Sequence, residues 1–254
     1  MVFRVPHKVG VLAGNASKGV TRTWPASLLT PRHHVAPGVK PGGAGVAPVA
    51  ITFTANAESE GANTVFTFSS QALGTASSDR KIVVGTVTAA GGGGSDAVST
   101  LTVGGISASL VKATLSADHT QAELWIAAVP TGTTGDVVVT WNRSAVRCGI
   151  GVWAMTGASA TAHDTGGSTA NPMVDTLDIP KNGAAVGCCM LTGAGTTFGW
   201  TNLTEDYDTT IQASNPHGGA SATFDTLQSG LSITSTPGSA GDYRAMSIAS
   251  FEIG

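Results

Sequence analysis

The sequence predicts an all-β fold: an antiparallel two-sheet β-sandwich, jelly-roll-like, over residues 51–254, behind an extended and mostly irregular arm at 1–50. Three observations predict it. Only 11% of the 254 residues are charged, too few to write long charge-faced surface helices. Val, Ile and Thr recur at period two in short runs from residue 51 onward. Turn residues, glycine above all, punctuate those runs.

The arm comes first. Residues 1–50 hold six basic side chains, Arg4, Lys8, Lys18, Arg22, Arg32 and Lys40, and no Asp or Glu. They also hold six of the eleven prolines. Proline removes a backbone donor and fixes φ, which rules out a long helix or a central strand here. The stretch Ala36–Pro48, APGVKPGGAGVAP, reads as an extended linker closing the arm. Ordering a chain costs about 1–2 kcal/mol per residue, so such an arm is ordered only when something holds it. Phe3, Arg4, Lys8, Trp24, Leu28, Leu29 and Arg32 are its candidate assembly contacts, laid along a neighbouring subunit. Packing back on its own domain is the alternative. Six charges spread over fifty residues form no clustered stripe, so nucleic acid is not an expected partner.

The remaining chain carries seven basic and sixteen acidic residues. The arm is therefore +6 and the body −9, within a net charge of −3.

Strands are expected at Ile51–Ala55, Thr64–Ser69, Lys81–Thr88, Val98–Val103, Ala108–Leu115, Ala122–Ala128 and Asp136–Trp141. The second half adds Gly149–Met155, Val174–Ile179, Ala184–Leu191, Thr197–Thr201, Thr209–Ala213, Ala220–Thr226, Leu231–Ser235 and Tyr243–Ile253. Gly104–Gly105 supplies the positive φ of a tight hairpin, and turns are expected at Pro130–Asp136 and Asn182–Gly183. The four glycines Gly91–Gly94 read as a loop tip. Trp125, Trp141, Trp153, Trp200, Phe66, Phe68, Phe198 and Phe251 are the expected core fillers. No run approaches the roughly 18–20 apolar residues of a membrane helix, and Pro6, His7 and Lys8 interrupt any signal-peptide core, so no membrane partner is expected.

The wording of the body, from TFSSQALGTASSDRKIVVG through AELWIAAVPTGTTGDVVVTW and RCGIGVWAMTGA to FGWTNLTEDYD, resembles β-sandwich proteins encoded among the structural genes of tailed bacteriophages and prophages. Many of those come from alphaproteobacterial hosts. The resemblance spans about three quarters of the chain, leaves the arm outside, and supplies no catalytic residue. It implies a capsid decoration, neck (collar) or fibre-associated part, made in the host cytoplasm and carried on the particle exterior. The implied partners are major capsid, portal or neck proteins and further copies of this chain.

Chemistry is sparse. Glu205, Asp206 and Asp208 in TEDYD lack the glycine-spaced loop of an EF-hand and read as a polar turn, with calcium as the alternative. Glu58 and Glu60 read as a polar loop. His163–Asp164 could pair as base and orienter, but no G-x-S-x-G elbow supplies a nucleophile. His33–His34 reads as an arm contact rather than a metal ligand. No catalytic, metal or cofactor residue is assigned, and an enzyme is not expected. Cys148, Cys188 and Cys189 are read as buried thiols, with a bridge from Cys148 to one of the pair, or a disulfide to another chain, as alternatives. Trp200, Tyr207 and Tyr243 are candidate glycan-stacking rings, which keeps a host-surface glycan or receptor-binding module as the second reading.

Overall fold

A computed structural model describes residues 47–89, 97–116, 120–193, 197–239 and 243–254. All of them lie in the second of the chain's two units, Gly45–Gly254. The arm residues Phe3, Arg4, Lys8, Trp24, Leu28, Leu29 and Arg32, and the Gly91–Gly94 tip, lie outside the described residues.

The described chain is all-β and antiparallel. The strands are β1 (Ala50–Ala72), β2 (Lys81–Ala89), β3 (Val98–Val103), β4 (Ile106–Ser107), β5 (Ser109–Leu115), β6 (Thr120–Ala128), β7 (Thr134–Thr156) and β8 (Asp164–Ser168). They continue with β9 (Met173–Ile179), β10 (Gly183–Thr192), β11 (Phe198–Thr201), β12 (Thr204–Ile211), β13 (Asn215–Phe224), β14 (Gln228–Pro237) and β15 (Tyr243–Phe251). The first sheet runs β4-β3-β7-β2-β6-β5, with β1 paired along β7. The second runs β12-β13-β10-β15-β8 and the third β11-β14-β9.

Two pairs of predicted strands are each one long strand. Ile51–Ala55 and Thr64–Ser69 fuse into β1, and Asp136–Trp141 and Gly149–Met155 fuse into β7. The two 23-residue strands pair nearly end to end, from Ala50 opposite Thr156 to Ala72 opposite Thr134. Bulges keep the ladder going through polar stretches where side-chain periodicity breaks. One bulge lies between Phe53 and Ala55, where β1 advances two residues against one on β7. An extra residue reverses the pleat. Phe53 therefore packs on one face of the sheet and Ala55 on the other.

This curl makes the first sheet nearly barrel-like. Its inner face wraps a core of Phe66, Phe68, Ile82, Leu101, Trp125, Val139, Trp141 and Ile150. Its outer face meets the second sheet through Val83, Leu124, Trp153, Met155, Val186 and Ile211. The second sheet's other face meets the third through Met173, Leu177, Phe198, Ile233 and Ile248. Strands β2, β6 and β10 are covered on both faces, which is why their burial is almost continuous rather than alternating. Seven of the eight expected aromatic fillers are buried, while Trp200 is half-buried.

Arg80, absent from the sequence reading, closes the end of the first sheet. Arg80 is 1% exposed, and its guanidinium donates to the carbonyls of Leu73, Gly74, Val129, Thr131 and Gly132 at 2.7–3.0 Å. All five of its N–H groups are thereby used, and two loops are tied to one side chain.

Candidate functional site

The densest gathering of titratable side chains sits where β1 of the first sheet meets β12 and β13 of the second. The register builds it. Glu58 on β1 lies opposite Gly149 on β7. Gly149 has no side chain, and the His217 ring of β13 fills the space: a Cβ there would come within 2.8 Å of His217 Cε1. His217 Nε2 then lies 3.2 Å from Glu58 Oε1, and Asn56 Nδ2 donates to the same oxygen at 3.1 Å.

Tyr207 follows the same logic one step along. A Cβ on Gly151 would stand 2.5 Å from its ring, and one on Gly219 would stand 2.4 Å away. The Tyr207 ring stacks on Phe53 at 5.2 Å and meets His217 edge-on at 5.3 Å. Trp153 Nε1 donates to Asp206 Oδ2 at 2.7 Å, and the Phe198 amide donates to Asp208 Oδ2 at 2.8 Å.

The electrostatics follow from burial and partners. The hydrogen bond from His217 holds the Glu58 carboxyl below its ordinary value, against a smaller upward push from burial. Burial pushes Asp208 up, and burial together with the neighbouring Asp208 pushes Glu205 up. Tyr207 is raised by burial. The His217 side chain is wholly buried, and its Nδ1 has no hydrogen-bond partner among the described residues. Chemically, the arrangement is a clamp between two sheets: a charge-assisted hydrogen bond set beside a packed aromatic group.

Other expected residues scatter. Glu205, Asp206 and Asp208 stand on β12, a strand rather than the expected turn, because β13 offers a ladder from Thr204 to Ile211, with a bulge at Asp206. Asp206 and Asp208 turn to different donors, Trp153 and the Phe198 amide, and the described residues contain no group of three or more His, Cys, Asp or Glu placed to hold a metal ion. His163 faces Glu252 at 3.6 Å, while Asp164 accepts from the Thr165 and Asp178 amides, so the two do not pair.

The cysteines correct the bridging alternative within the domain. All three are free and buried. Cys148 faces the core inside the first sheet, Cys188 the layer between the first and second sheets, and Cys189 the layer between the second and third. Each thiol also has its own neighbour: Thr86, the Glu123 carbonyl and Ser235 respectively. Burial pushes Cys148 up to about 12 and the other two also upward, which removes thiolate reactivity.

The candidate glycan rings do not form a row. Tyr207 is buried, Trp200 lies across the backbone of Gly187, and Tyr243 is 37% exposed at the start of β15.

Sequence reasoning missed the Glu58–His217 pair, whose members lie 159 residues apart. The available signal was glycine inside apolar strands: RCGIGVW and NPHGGASA mark backbones that another group approaches closely. No described helix is long and apolar enough to cross a membrane. Compared with protein-family models and with curated proteins, the chain matches none.

Proposed function

We propose that this chain is a non-enzymatic structural component of a tailed-phage virion, a capsid decoration or neck protein, tethered through its arm to neighbouring subunits. The observation that carries the reading is the segregation of charge: +6 with no acid in residues 1–50, and −9 in the body. Opposite charge on one chain favours docking of one copy's arm on the next copy's body. In this reading the first and second sheets are the two faces of a jelly-roll-like sandwich, which projects from the particle or bridges neighbours.

The open edge of the first sheet adds support. On edge strand β5, Leu110 is 50% and Leu115 41% exposed. Leu110 lines a groove of about 450 Å³ together with Val111, Ile126 and Ala162. Exposed apolar edges suit contacts with other proteins. The glycan reading draws less support, because Tyr207 is covered and, among the described residues, no row of exposed rings stands beside polar loops.

The test is mass spectrometry and immunogold labelling of particles purified from the host that encodes this chain. The expected result is a fixed copy number per particle, with label at the capsid or neck. Particles free of the chain would overturn the proposal, and label confined to fibre tips would move it to the receptor-binding reading.

A further inference from the structure

Among the described strands β1 pairs with β7 alone. The second sheet covers its first half through Phe53 and Glu58. The second half is an open edge. There the ladder with β7 is regular from Val65 to Phe68, and register shifts bound it between Asn63 and Val65 and between Phe68 and Gln71. Just past this strip Ser70 turns to φ 55°, and its amide donates to Asp136 Oδ1 at 2.8 Å. In an antiparallel pair every second residue turns its N–H and C=O away from the partner strand. Val65–Ser69 therefore presents a row of such groups on the side away from β7.

Proteins blunt such edges with charge, proline or brevity. The other edge strands follow this rule. Lys112 stands on β5, Asp164 on β8, Asp175 and Asp178 on β9, and Glu205, Asp206 and Asp208 on β12. Edges β4 and β11 are only two and four residues long. The second half of β1 lacks these devices, for Gly61–Ser78 contains neither a charge nor a proline. Its side chains alternate: Val65, Thr67 and Ser69 are exposed, Val65 by 51%, while Phe66 and Phe68 are buried.

We infer that this strip pairs antiparallel with the same strip of a second copy, about a twofold axis at Thr67. The faces fix the register. A slip of one residue sets outward side chains against inward ones. Among registers that keep the faces, only the one centred on Thr67 uses all five residues. It places Thr67 opposite the partner's Thr67, Val65 opposite the partner's Ser69, and Phe66 opposite the partner's Phe68. Threonine pairs and aromatic pairs are both favourable across strands.

Charge selects a second copy as the occupant. The body carries −9, and two bodies of like charge meet at least cost along a strip without charge. A basic partner of another kind would gain more at the acidic edges β9 and β12. Five residues are too few to hold two copies by themselves. The pairing therefore rests on the reading that arms gather copies and raise their local concentration.

Cysteine cross-linking of the full chain tests this. The three native thiols are buried, so an added surface thiol reports alone. Under a mild oxidant Thr67→Cys chains should join on the order of tenfold faster than Ala62→Cys chains, because a disulfide needs Cα atoms within about 7 Å. Ala62 is equally an exposed position of β1. Its two copies would stand roughly 30 Å apart, at about 3.3 Å per residue from the axis. Mixing Val65→Cys with Ser69→Cys should give mixed dimers in excess of their statistical share, and a statistical mixture overturns the register. Val65→Lys added to Thr67→Cys should abolish the rate advantage and leave thermal unfolding unchanged. Equal rates for Thr67→Cys and Ala62→Cys overturn the pairing; if salt-sensitive oligomers form all the same, the arm reading stands without it. Cross-linking also traps transient pairs, so a Thr67 advantage that persists near 1 M salt, where charges are screened beyond about 3 Å, supports the pairing whether or not arms associate.

Discussion

A histidine with no exposed surface must find its polar partner inside the protein, and His217 finds it on another sheet. Its bond to Glu58 joins β13 to β1 at a point where glycine leaves room for an imidazole. Because His217 lowers the Glu58 carboxyl, this contribution is fully present above the ordinary value of 4.5 and is lost as pH falls through the folded value. Glu58→Gln should cost about 1 kcal/mol at pH 6, since solvent screens a half-buried carboxylate, and almost nothing near pH 3. Urea titrations of both proteins from pH 3 to 6 check this. A loss that does not vary with pH would show that the bond does not depend on the Glu58 charge. Burial of single residues was legible in the sequence: Trp141, Trp153 and Phe251 stand in apolar period-two runs and are buried. The pairing of Glu58 with His217 was not, because its geometry exists only once two sheets are stacked.

The same distinction holds for whole elements. Strands with their own alternation, such as Val98–Val103, were readable to the residue. Strand β8 carries no strand signal of its own, since DTGGS has no apolar alternation; its ladder is supplied by β15, which it pairs with from Asp164 to Ser168. Gly166 and Gly167 fit there because Asp175, Thr114 and Met246 crowd the backbone. Glycine thus sets how closely elements approach, and Gly219 on β13 is the sharpest case. A methyl group there would stand 2.4 Å from the Tyr207 ring and 2.6 Å from Trp153, two rings that are themselves packed against Phe53. Gly219→Ala must push the first and second sheets apart locally or turn Tyr207 out. The expected cost is about 1–3 kcal/mol, read as a lower midpoint in urea with an unchanged slope. An alanine tolerated without loss would mean that the rings repack freely, and the clamp would then not be a tight one.

At the scale of the molecule the decisive quantity is where the charges lie. A chain of net −3 would repel its copies only weakly, yet each copy carries +6 and −9 on separate segments of its sequence. Glu60, Glu205, Asp206 and Asp208 belong to β1 and β12, neighbouring edge strands of the body, while Arg4, Lys8, Lys18, Arg22, Arg32 and Lys40 belong to the arm. If arm and body of different copies attract, association weakens with salt, because the Debye length shrinks from about 10 Å at 0.1 M to about 3 Å at 1 M. The full chain should therefore sediment as oligomers at low ionic strength and shift toward monomer near 1 M. Changing all six arm cations to Gln should remove the oligomer at low salt and leave thermal unfolding of the body unaltered. An oligomer that survives both treatments would assign the contact to apolar surface instead, with Leu110 and Leu115 on the open edge of β5 as its first candidates. A monomer at every ionic strength would mean that the arm has no partner on its own kind, and any assembly partner would then be a different protein.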